Sequence, residues 1–522
     1  MRISYSLLLA AVLCAASCRK QDREETIPLP GNREALSLLL DSVYLYAQQL
    51  YYWNKQLPSF EQFAPRSYAN GAPGADLDHL RKELFELTRF AVNPATGQPY
   101  ELHPYHTGLP KYSTIVDPRD PSSYKPEELS AVEALKAGVG NFGLSLAAAG
   151  DNDIRIVTAS KGGAAAGAGL KRGDRVQAVN GRTVATTDAF YSYASTALSG
   201  ATVKLEMADG KSGVVKQVTL VNITYAPNPL YKEQLLDAGG EKIGYFAYER
   251  FTEEQNTRAY LDPLFKRFAQ QGVRTLIVDL RYNGGGFQNT CRYLANMIVP
   301  VSADGQVMFK EYYNPLMQSG QATILKQQYI LDGGGNPVMV DGRAATLNDI
   351  DYSVEANTSK FEKTGGLAAL KRVYFIVSGQ TASASELLIN SLKPYMDVRL
   401  IGVSYQGGAV RTYGKPVGFF DISVNRYKLY LSLYQNKNAK EEGDFFAGMP
   451  ADVSVLDDPS YDFGDVRDPA VHSIMNIEAP GQYPRAMATA RTGAGFPVRA
   501  VGPVAATQYG LIKQVSELHL RR

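Results

Sequence analysis

The chain has 522 residues, 45% of them hydrophobic and 20% charged, a composition typical of globular proteins and a length that accommodates two or three domains. The formal net charge of +2 lacks the basic excess on which nucleic-acid binding depends, so no nucleic-acid partner is predicted. Beyond the first 18 residues, no apolar run is long enough for a membrane-spanning helix.

The N-terminus has the pattern of a secretory signal. A positive charge at Arg2 precedes an apolar stretch at residues 7–14, and the following Ala-Ala-Ser-Cys ends at Cys18 and resembles the signal box of bacterial lipoproteins. We predict a lipoprotein signal peptide with its lipobox over residues 1–18, a lipid on Cys18, and a charged tether over residues 19–32. The lipid anchor would hold the protein in the cell envelope, on the periplasmic or external side of the outer membrane. A plain signal peptide without lipidation is the alternative.

The cysteines and histidines do not form the framework of a disulfide-rich or metal-binding protein. Cys14 and Cys18 belong to the predicted signal, which leaves Cys291 as a single free thiol in a segment with helical spacing, where it is expected to be a core residue. His103 and His106 have a spacing compatible with metal binding, but two ordinary polar residues in a loop are the simpler interpretation. We predict no metal and no other cofactor.

Two segments before residue 115 have the apolar spacing of amphipathic helices. Hydrophobic residues recur at three- and four-residue intervals over residues 34–54, and residues 80–90 have a similar pattern. A Pro- and Gly-rich stretch at residues 71–74 separates them. The sequence therefore predicts a helical N-terminal domain over residues 33–115.

A glycine-containing loop and a longer glycine-rich stretch follow this region. The loop contains Phe142, Gly143 and Leu144, and the longer stretch covers residues 162–181. Both resemble segments of PDZ domains, which implies a β-sandwich-like PDZ domain over residues 138–226. In such a domain, the N–H groups of the loop bind a terminal carboxylate while the peptide adds as a strand to the sheet edge. The implied partners are proteins or peptides with free C-termini; a glycine-rich turn of another β domain is the alternative.

The region that follows has the pattern of an α/β domain. A strand at residues 242–248, an amphipathic helix at 253–271 and a second strand at 276–280 predict a parallel βαβ unit. Residues 301–370 are long and irregular, and we expect them to cover the site. No role is predicted for residues 479–522.

Three short motifs of this region contain the candidate chemistry. The sequence Arg-Tyr-Asn-Gly-Gly-Gly at residues 281–286 follows a buried strand, and Thr-Ala-Ser-Ala-Ser-Glu at 381–386 lies between a strand and a helix. The third motif, Thr-Tyr-Gly-Lys, ends at Lys415. A serine at a helix N-terminus is well placed for a reaction that develops negative charge, because free N–H groups and the helix dipole stabilise an anion there. Taken alone, however, a serine or threonine at such a turn is usually an ordinary helix N-cap.

In this order the three motifs resemble those of the C-terminal processing peptidases, also called tail-specific proteases, over residues 138–465. The resemblance implies a multidomain α+β and α/β protein whose crotonase-like protease core covers residues 240–478. It also implies a serine endopeptidase with a Ser/Lys dyad, in which Ser383 is the nucleophile, Lys415 the general base, and the backbone N–H groups of Gly285 and Ala384 the oxyanion donors. Ser385 is the alternative nucleophile.

Two features depart from the family pattern. Lys415 lies further from Ser383 along the chain than is usual in the family, and Phe419 stands where many members have a glutamine that holds the lysine amine. A catalytically inactive, peptide-binding surface lipoprotein is therefore the alternative to a peptidase of envelope or extracellular proteins. No feature of the sequence indicates an oligomeric state.

Overall fold

The computed structural model describes residues 32–70, 75–104, 106–119, 139–226, 228–332, 334–405, 407–483, 500–501, 511–514 and 517–521. The predicted signal peptide, the lipidation site Cys18 and residues 19–31 of the tether lie outside the described residues. Within the described ranges, no helix is long and apolar enough to cross a membrane.

The N-terminal region is mainly helical, as the sequence predicts. Its elements are α1 (Asn32–Leu50), α2 (Phe60–Phe63), α3 (Asp76–Thr88), β1 (Val92–Asn93), β2 (Gln98–Pro99) and β3 (Thr114–Val116). The apolar residues that recur along α1, such as Leu40, Val43 and Ala47, are fully buried. The helical periodicity of the sequence therefore identified the packed face of this helix.

The second region is a β domain with a hydrophobic core of its own. Its elements are β4 (Val139–Asn141), β5 (Leu144–Gly150), β6 (Asp153–Ala159), α4 (Ala164–Gly167), β7 (Arg175–Val179), β8 (Arg182–Thr183), α5 (Asp188–Leu198), β9 (Thr202–Ala208), β10 (Val215–Val221) and β11 (Ile223–Tyr225). The main sheet has the order β10-β9-β7-β6-β5, and β4 pairs separately with β11. Phe142, Leu146 and Phe190 belong to the core that this sheet shares with α5.

The third region contains the predicted βαβ unit. Its elements are β12 (Leu230–Ala238), β13 (Glu241–Tyr248), α6 (Glu254–Gln270), β14 (Thr275–Asp279), α7 (Gln288–Ile298), β15 (Val307–Tyr313), α8 (Pro315–Gln318), β16 (Met339–Val340), β17 (Arg343–Ala344), β18 (Thr358–Lys360), β19 (Arg372–Val377), α9 (Ala384–Leu392), β20 (Asp397–Ser404), β21 (Val417–Phe419), β22 (Ile422–Val424), β23 (Tyr427–Tyr430), β24 (Tyr434–Asn438), β25 (Val453–Leu456) and α10 (Pro469–Glu478). Six of these strands form the central sheet in the order β12-β13-β14-β19-β20-β25, which is parallel except for β12.

The central sheet is buried on both faces. Along β14, Leu276 and Val278 face one hydrophobic core, while Ile277 faces the other. Parallel strands covered on both sides are continuously apolar, which explains why β14 and β19 read as unbroken hydrophobic runs. Burial of the sheet leaves its carboxyl edge, where the loops emerge, as the place for a site.

Residues 301–370 contribute to the protein interior. Their strand β15 lies in a second sheet of order β18-β15-β24-β21-β27, in which β27 (Leu511–Ile512) comes from the C-terminal region. Met308, Phe309 and Tyr313 of β15 are buried in the same core as the central sheet. The segment is thus part of the packed body of the protein and not only a cover over the site.

The N-terminal helices share a hydrophobic core with the third region and so are not packed as a separate unit. The sequence pattern gives the buried face of a helix but not its partner, and here β3 pairs with β23. At the same junction, the ring of Trp53 stacks on Tyr100 with centroids 4.3 Å apart and lies 5.8 Å from the ring of Phe446.

A buried carboxylate fixes this junction. Glu101 Oε1 accepts hydrogen bonds from the hydroxyls of Tyr51, Ser113 and Ser432, at 2.7–3.0 Å. Its second oxygen accepts from the backbone N–H groups of Tyr112 and Ser113. Because the donors come from the residue that follows α1, from the segment before β3 and from the segment between β23 and β24, one side chain joins three parts of the fold.

Candidate active site

The loops that follow two neighbouring strands of the central sheet are joined by hydrogen bonds. β14 and β19 are parallel neighbours, so the glycine loop and the serine turn leave the sheet at the same edge. The hydroxyl of Thr381 donates to the carbonyl of Leu280 at 2.7 Å, and the N–H of Ala382 donates to the carbonyl of Asn283 at 3.2 Å. The sheet therefore brings two of the three sequence motifs together.

Ser383 is the N-cap of α9 and has an unusual backbone conformation. Its φ of 60° and ψ of −113° lie in a region that L-residues rarely adopt, which costs about 1–3 kcal/mol. The side chain is 1% exposed, and its hydroxyl oxygen has no hydrogen-bond partner among the described residues. A strained serine with an uncommitted hydroxyl at a helix N-terminus has the properties of a nucleophile rather than of a cap.

Gly285 allows the glycine loop to approach Ser383. A Cβ at this position would lie 2.8 Å from Ser383 Cβ and 3.0 Å from the backbone nitrogen of Ala384. The φ of Gly285 is 112°, which side-chain-bearing residues do not adopt without strain. The second glycine of the motif is therefore required by the close packing of the two loops.

The alternative nucleophile, Ser385, is already engaged. Its hydroxyl donates to the carbonyl oxygen of Asn283 at 3.1 Å and to Oδ1 of the same residue at 3.0 Å. Asn283 Nδ2 in turn donates to the carbonyl of Tyr248, so this hydroxyl belongs to a structural network. The geometry supports Ser383 over Ser385.

The carboxylate of Glu386 connects the serine turn to the lysine motif. Oε2 accepts from the N–H of Ser383 at 2.9 Å and from the N–H of Lys415 at 2.8 Å, so the two nitrogens are no further apart than the sum of these distances. Oε1 accepts from the N–H of Gly414 at 2.7 Å and from the hydroxyl of Thr412. The longer connection before Lys415 therefore does not displace the motif from the serine turn.

Burial raises the pKa of Glu386, and the four donors oppose that rise. All four groups donate to this side chain, which is the arrangement that an ionised carboxylate accepts. The fully buried Glu386 is thus an anionic link between the two segments.

Lys415 is buried among aromatic rings. Its Nζ lies 5.9 Å from the ring centroid of Tyr112 and 5.5 Å from that of Phe419, which stands where the resemblance implied a glutamine. The hydroxyl of Tyr112 donates to the carbonyl of Gly414 at 2.5 Å and so fixes the ring beside the lysine. Two rings, rather than an amide, surround the lysine amine.

This environment lowers the pKa of Lys415 to about 8. Burial is the main cause, because it disfavours the ammonium form. The positive charge of Lys111 acts in the same direction, whereas Glu101 and Glu386 oppose it. A lysine with a pKa near neutrality has the neutral amine that a general base requires.

The two predicted oxyanion donors differ in the structure. The N–H of Ala384 belongs to the first residue of α9, where N–H groups have no acceptor within the helix. The N–H of Gly285 instead donates to Asn283 Oδ1 at 2.9 Å, so it does not serve as an oxyanion donor in this conformation. The reason is an Asx turn, in which an asparagine side chain accepts from the N–H two residues on.

Two family models match this chain: that of peptidase family S41 over residues 242–438 and that of the PDZ domain over residues 132–208. Together the two matches show a peptidase S41 domain preceded by a PDZ domain. The S41 match contains the glycine loop, Ser383 and Lys415, and the PDZ match contains the Phe142 loop.

Curated relatives and a solved structure agree with this assignment. Carboxyl-terminal-processing peptidase 1 of Arabidopsis thaliana chloroplasts is 26% identical over 49% of this chain and 52% of its own length. The carboxy-terminal processing protease CtpA of Bacillus subtilis is 25% identical over 46% of this chain and 48% of its own. The chain thus spans about half the length of these relatives. A crystal structure of a putative S41 protease from Bacteroides fragilis has the same fold, with a TM-score of 0.53 and 20% identity over 84% of this chain and 96% of that one.

The PDZ domain presents the predicted loop at the start of β5. Phe142 is buried in the domain core, Gly143 has a φ of 69°, and Leu144 begins the strand. Gly143 packs closely enough on Gly163 that a Cβ on Gly143 would lie 2.9 Å from the Cα of Gly163. The two glycine-rich stretches recognised in the sequence therefore form one loop-to-helix contact.

The structure places residues near Lys415 that sequence reasoning did not assign to the site. Lys111 is buried, its Nζ donates to the carbonyl of Phe446 at 2.8 Å, and burial lowers its pKa to about 8. The pKa of His103 is lowered to about 4, mainly by burial and in addition by the charges of His106, Lys111 and Lys415. The three sequence motifs contain no histidine, but the folded chain brings His103 close to Lys415.

Neither the His103 pair nor Cys291 forms a reactive site of its own. Among the described residues, no group of three or more His, Cys, Asp or Glu side chains is arranged to hold a metal ion. Cys291 is fully buried in α7, its Sγ donates to the carbonyl of Ala384, and burial raises the pKa of the thiol. It is a core residue behind the serine turn, as the sequence indicated.

We predict that Glu386→Gln lowers the free energy of unfolding by about 3 kcal/mol. An amide has a single oxygen, so its NH2 group would face backbone N–H groups that now donate to a carboxylate. Urea denaturation of the variant and the wild type measures the change.

The exposed Glu362→Gln makes the same chemical change outside the site and should alter the free energy of unfolding by less than about 0.5 kcal/mol. Equal stability of Glu386→Gln and the wild type would show that the carboxylate does not hold the two segments together.

Proposed function

We propose that this chain is a serine endopeptidase, with Ser383 as nucleophile and Lys415 as general base. The observation that carries the proposal is the shared carboxylate oxygen of Glu386, which accepts from the N–H groups of both residues. The uncommitted hydroxyl of Ser383 and the lowered pKa of Lys415 support it. No observation favours the inactive peptide-binding alternative, because the lysine motif remains bound to the serine turn.

In the proposed reaction, the neutral amine of Lys415 accepts the proton of the Ser383 hydroxyl as its oxygen attacks the peptide carbonyl carbon. The N–H of Ala384 and the N-terminus of α9 stabilise the oxyanion that forms, and a donor of this kind typically contributes about 3 kcal/mol. The ammonium of Lys415 then protonates the leaving amine, and the acyl-enzyme remains. Water, deprotonated by the same amine, releases the acid product and restores the serine.

We further propose that the PDZ domain selects chains by their free C-termini. The loop at Phe142, Gly143 and Leu144 leads into β5, and a loop that continues into a strand able to pair with an added peptide is the arrangement that binds a carboxylate. The names of the curated relatives describe carboxyl-terminal processing, which agrees with this proposal. Substrate tails bound there would raise the local concentration of the chain near Ser383.

We also propose that the protein is lipidated at Cys18 and acts on envelope or extracellular proteins. The support is the sequence pattern alone, an apolar stretch that ends in Ala-Ala-Ser-Cys. A charged tether would separate the catalytic part from the membrane.

The proposed dyad is tested with Ser383→Ala and Lys415→Met, which should lower the turnover of an unfolded protein substrate by at least about 10³-fold, because each removes a group that takes part in bond making or proton transfer. Ser385→Ala should retain activity within about tenfold, since its hydroxyl only supports the loop. Lys371→Met, at an exposed site, is the matched control for the lysine change and should behave as wild type. Turnover near the wild-type rate in either dyad variant would remove that residue from the mechanism.

The rate at limiting substrate should rise with pH and level off above about pH 8, because only the deprotonated Lys415 accepts the serine proton. In Lys111→Met, a positive neighbour is lost, so the pKa of Lys415 rises and the profile moves to higher pH. Lys371→Met should leave the midpoint unchanged. Coincident profiles for all three proteins would contradict the proposed coupling between the two buried lysines.

Metabolic labelling with a fatty acid should label the wild-type chain and not Cys18→Ala, because a single thiol carries the proposed anchor. Cys291→Ala, which changes a buried thiol, should be labelled as strongly as the wild type. Equal label in the wild type and in Cys18→Ala would contradict lipidation at this residue.

A further inference from the structure

A short strand from the C-terminal region lies at the edge of the PDZ sheet. β26 (Ala500–Val501) pairs antiparallel with β5, with Ala500 opposite Ala147 and Val501 opposite Leu146. Helix α5 of the PDZ domain packs against the same strand. The strand therefore occupies the groove between β5 and α5.

This groove is the place where a PDZ domain takes a peptide. The carboxylate-binding loop leads directly into β5 at Leu144, and a bound peptide adds to this strand in the antiparallel direction. Val501 is paired nearer to the loop than Ala500, so β26 runs towards the loop, as a bound C-terminal peptide does.

We propose that the segment around Ala500 and Val501 is an internal ligand of the PDZ domain, which fills the peptide groove from within the chain and must leave before a substrate tail binds. The proposal rests on the C-terminal recognition proposed above. It assigns a role to the region after residue 478, for which the sequence indicated none.

The internal strand differs from a substrate tail in one chemical respect. The chain continues beyond Val501 to Arg522, so no terminal carboxylate is present at this point for the loop to bind. A substrate tail adds charge-assisted hydrogen bonds that the internal strand lacks, which favours displacement by a free C-terminus. The internal strand offsets the missing carboxylate contacts because it belongs to the same chain as the groove. The effective concentration of a segment held by short connections is on the order of millimolar. Only ligands that use the carboxylate are then expected to open the groove.

The segment is attached on both sides of β26. Before it, α10 ends at Glu478 and packs in the core beneath the central sheet. After it, β27 pairs with β21, and the buried Lys513 forms an ion pair with Glu311 at 2.7 Å. Release of β26 from the groove therefore does not require the C-terminal region to leave the protein, so the displacement is local and reversible.

The test compares the full wild-type chain with Ala500→Pro, which removes a backbone N–H from β26, and with Ala505→Pro, which makes the same change outside the two-residue strand. Amide hydrogen exchange over β5 should be faster in Ala500→Pro alone. Calorimetry with a free-acid peptide ending in valine should show about tenfold tighter binding to Ala500→Pro than to the other two proteins, because the competing strand is lost. Thermal unfolding checks that the variants are folded.

The outcomes separate this proposal from the proposed tail recognition. Unchanged protection of β5 together with equal peptide affinity in all three proteins overturns the internal ligand and leaves tail recognition intact. A second outcome is loss of β5 protection in Ala500→Pro while no protein binds the free-acid peptide, or while each binds the same peptide equally well with an amidated C-terminus. That outcome supports the internal strand and overturns recognition of free C-termini.

A second variant tests the proposal without a proline. Ala147→Cys combined with Ala500→Cys places two thiols at directly paired positions, where a disulfide can form. Peptide mapping identifies the cross-link. The oxidised protein should lose peptide binding, and a thiol reductant should restore it. Binding of the peptide to the cross-linked form at the affinity of the reduced form would overturn the proposal.

Discussion

The candidate active site depends on one buried carboxylate that faces two chain segments. Glu386 accepts hydrogen bonds from the N–H group of the serine turn on one side and from N–H groups of the lysine motif on the other. A carboxylate in the first turn of a helix is favoured by the helix dipole, and here it also compensates the strained backbone of Ser383. Burying such a charge is unfavourable unless hydrogen bonds satisfy it, and four donors do so. The proposed nucleophile and the proposed base are thus positioned through their backbones, which leaves both side chains uncommitted to that task.

The parallel sheet explains why distant segments meet at this carboxylate. β14 and β19 are neighbours and both end at the same edge, so the loops that follow them come together whatever the length of chain between them. Residues 301–370 lie in the chain between β14 and β19, and their strand β15 belongs to the second sheet. The glycine loop then fits against Ser383 because Gly285 has no side chain.

The sequence predicted the elements with strong local patterns. The strand–turn–helix around Ser383, the βαβ unit and the PDZ loop all have residue patterns that span a few neighbouring positions, and these agree with the structure. Contacts between distant segments were not predictable: the sequence contained Glu386 within its motif, but the N–H groups of Gly414 and Lys415 that bind it lie far along the chain. The choice between Ser383 and Ser385 likewise needed the hydrogen bonds of Asn283. Strands of two residues, such as β26, are too short to have a recognisable period.

The junction between the N-terminal helices and the protease region contains the single tryptophan of the chain. Trp53 stacks on Tyr100 and lies beside Phe446, whose carbonyl accepts the hydrogen bond of Lys111. The tryptophan fluorescence of this protein therefore originates from one indole, which lies beside Phe446, a hydrogen-bond partner of the buried Lys111. Emission excited at the indole band therefore reports on the junction between the N-terminal helices and the protease region without any introduced label. The PDZ domain has no tryptophan and does not contribute to this signal.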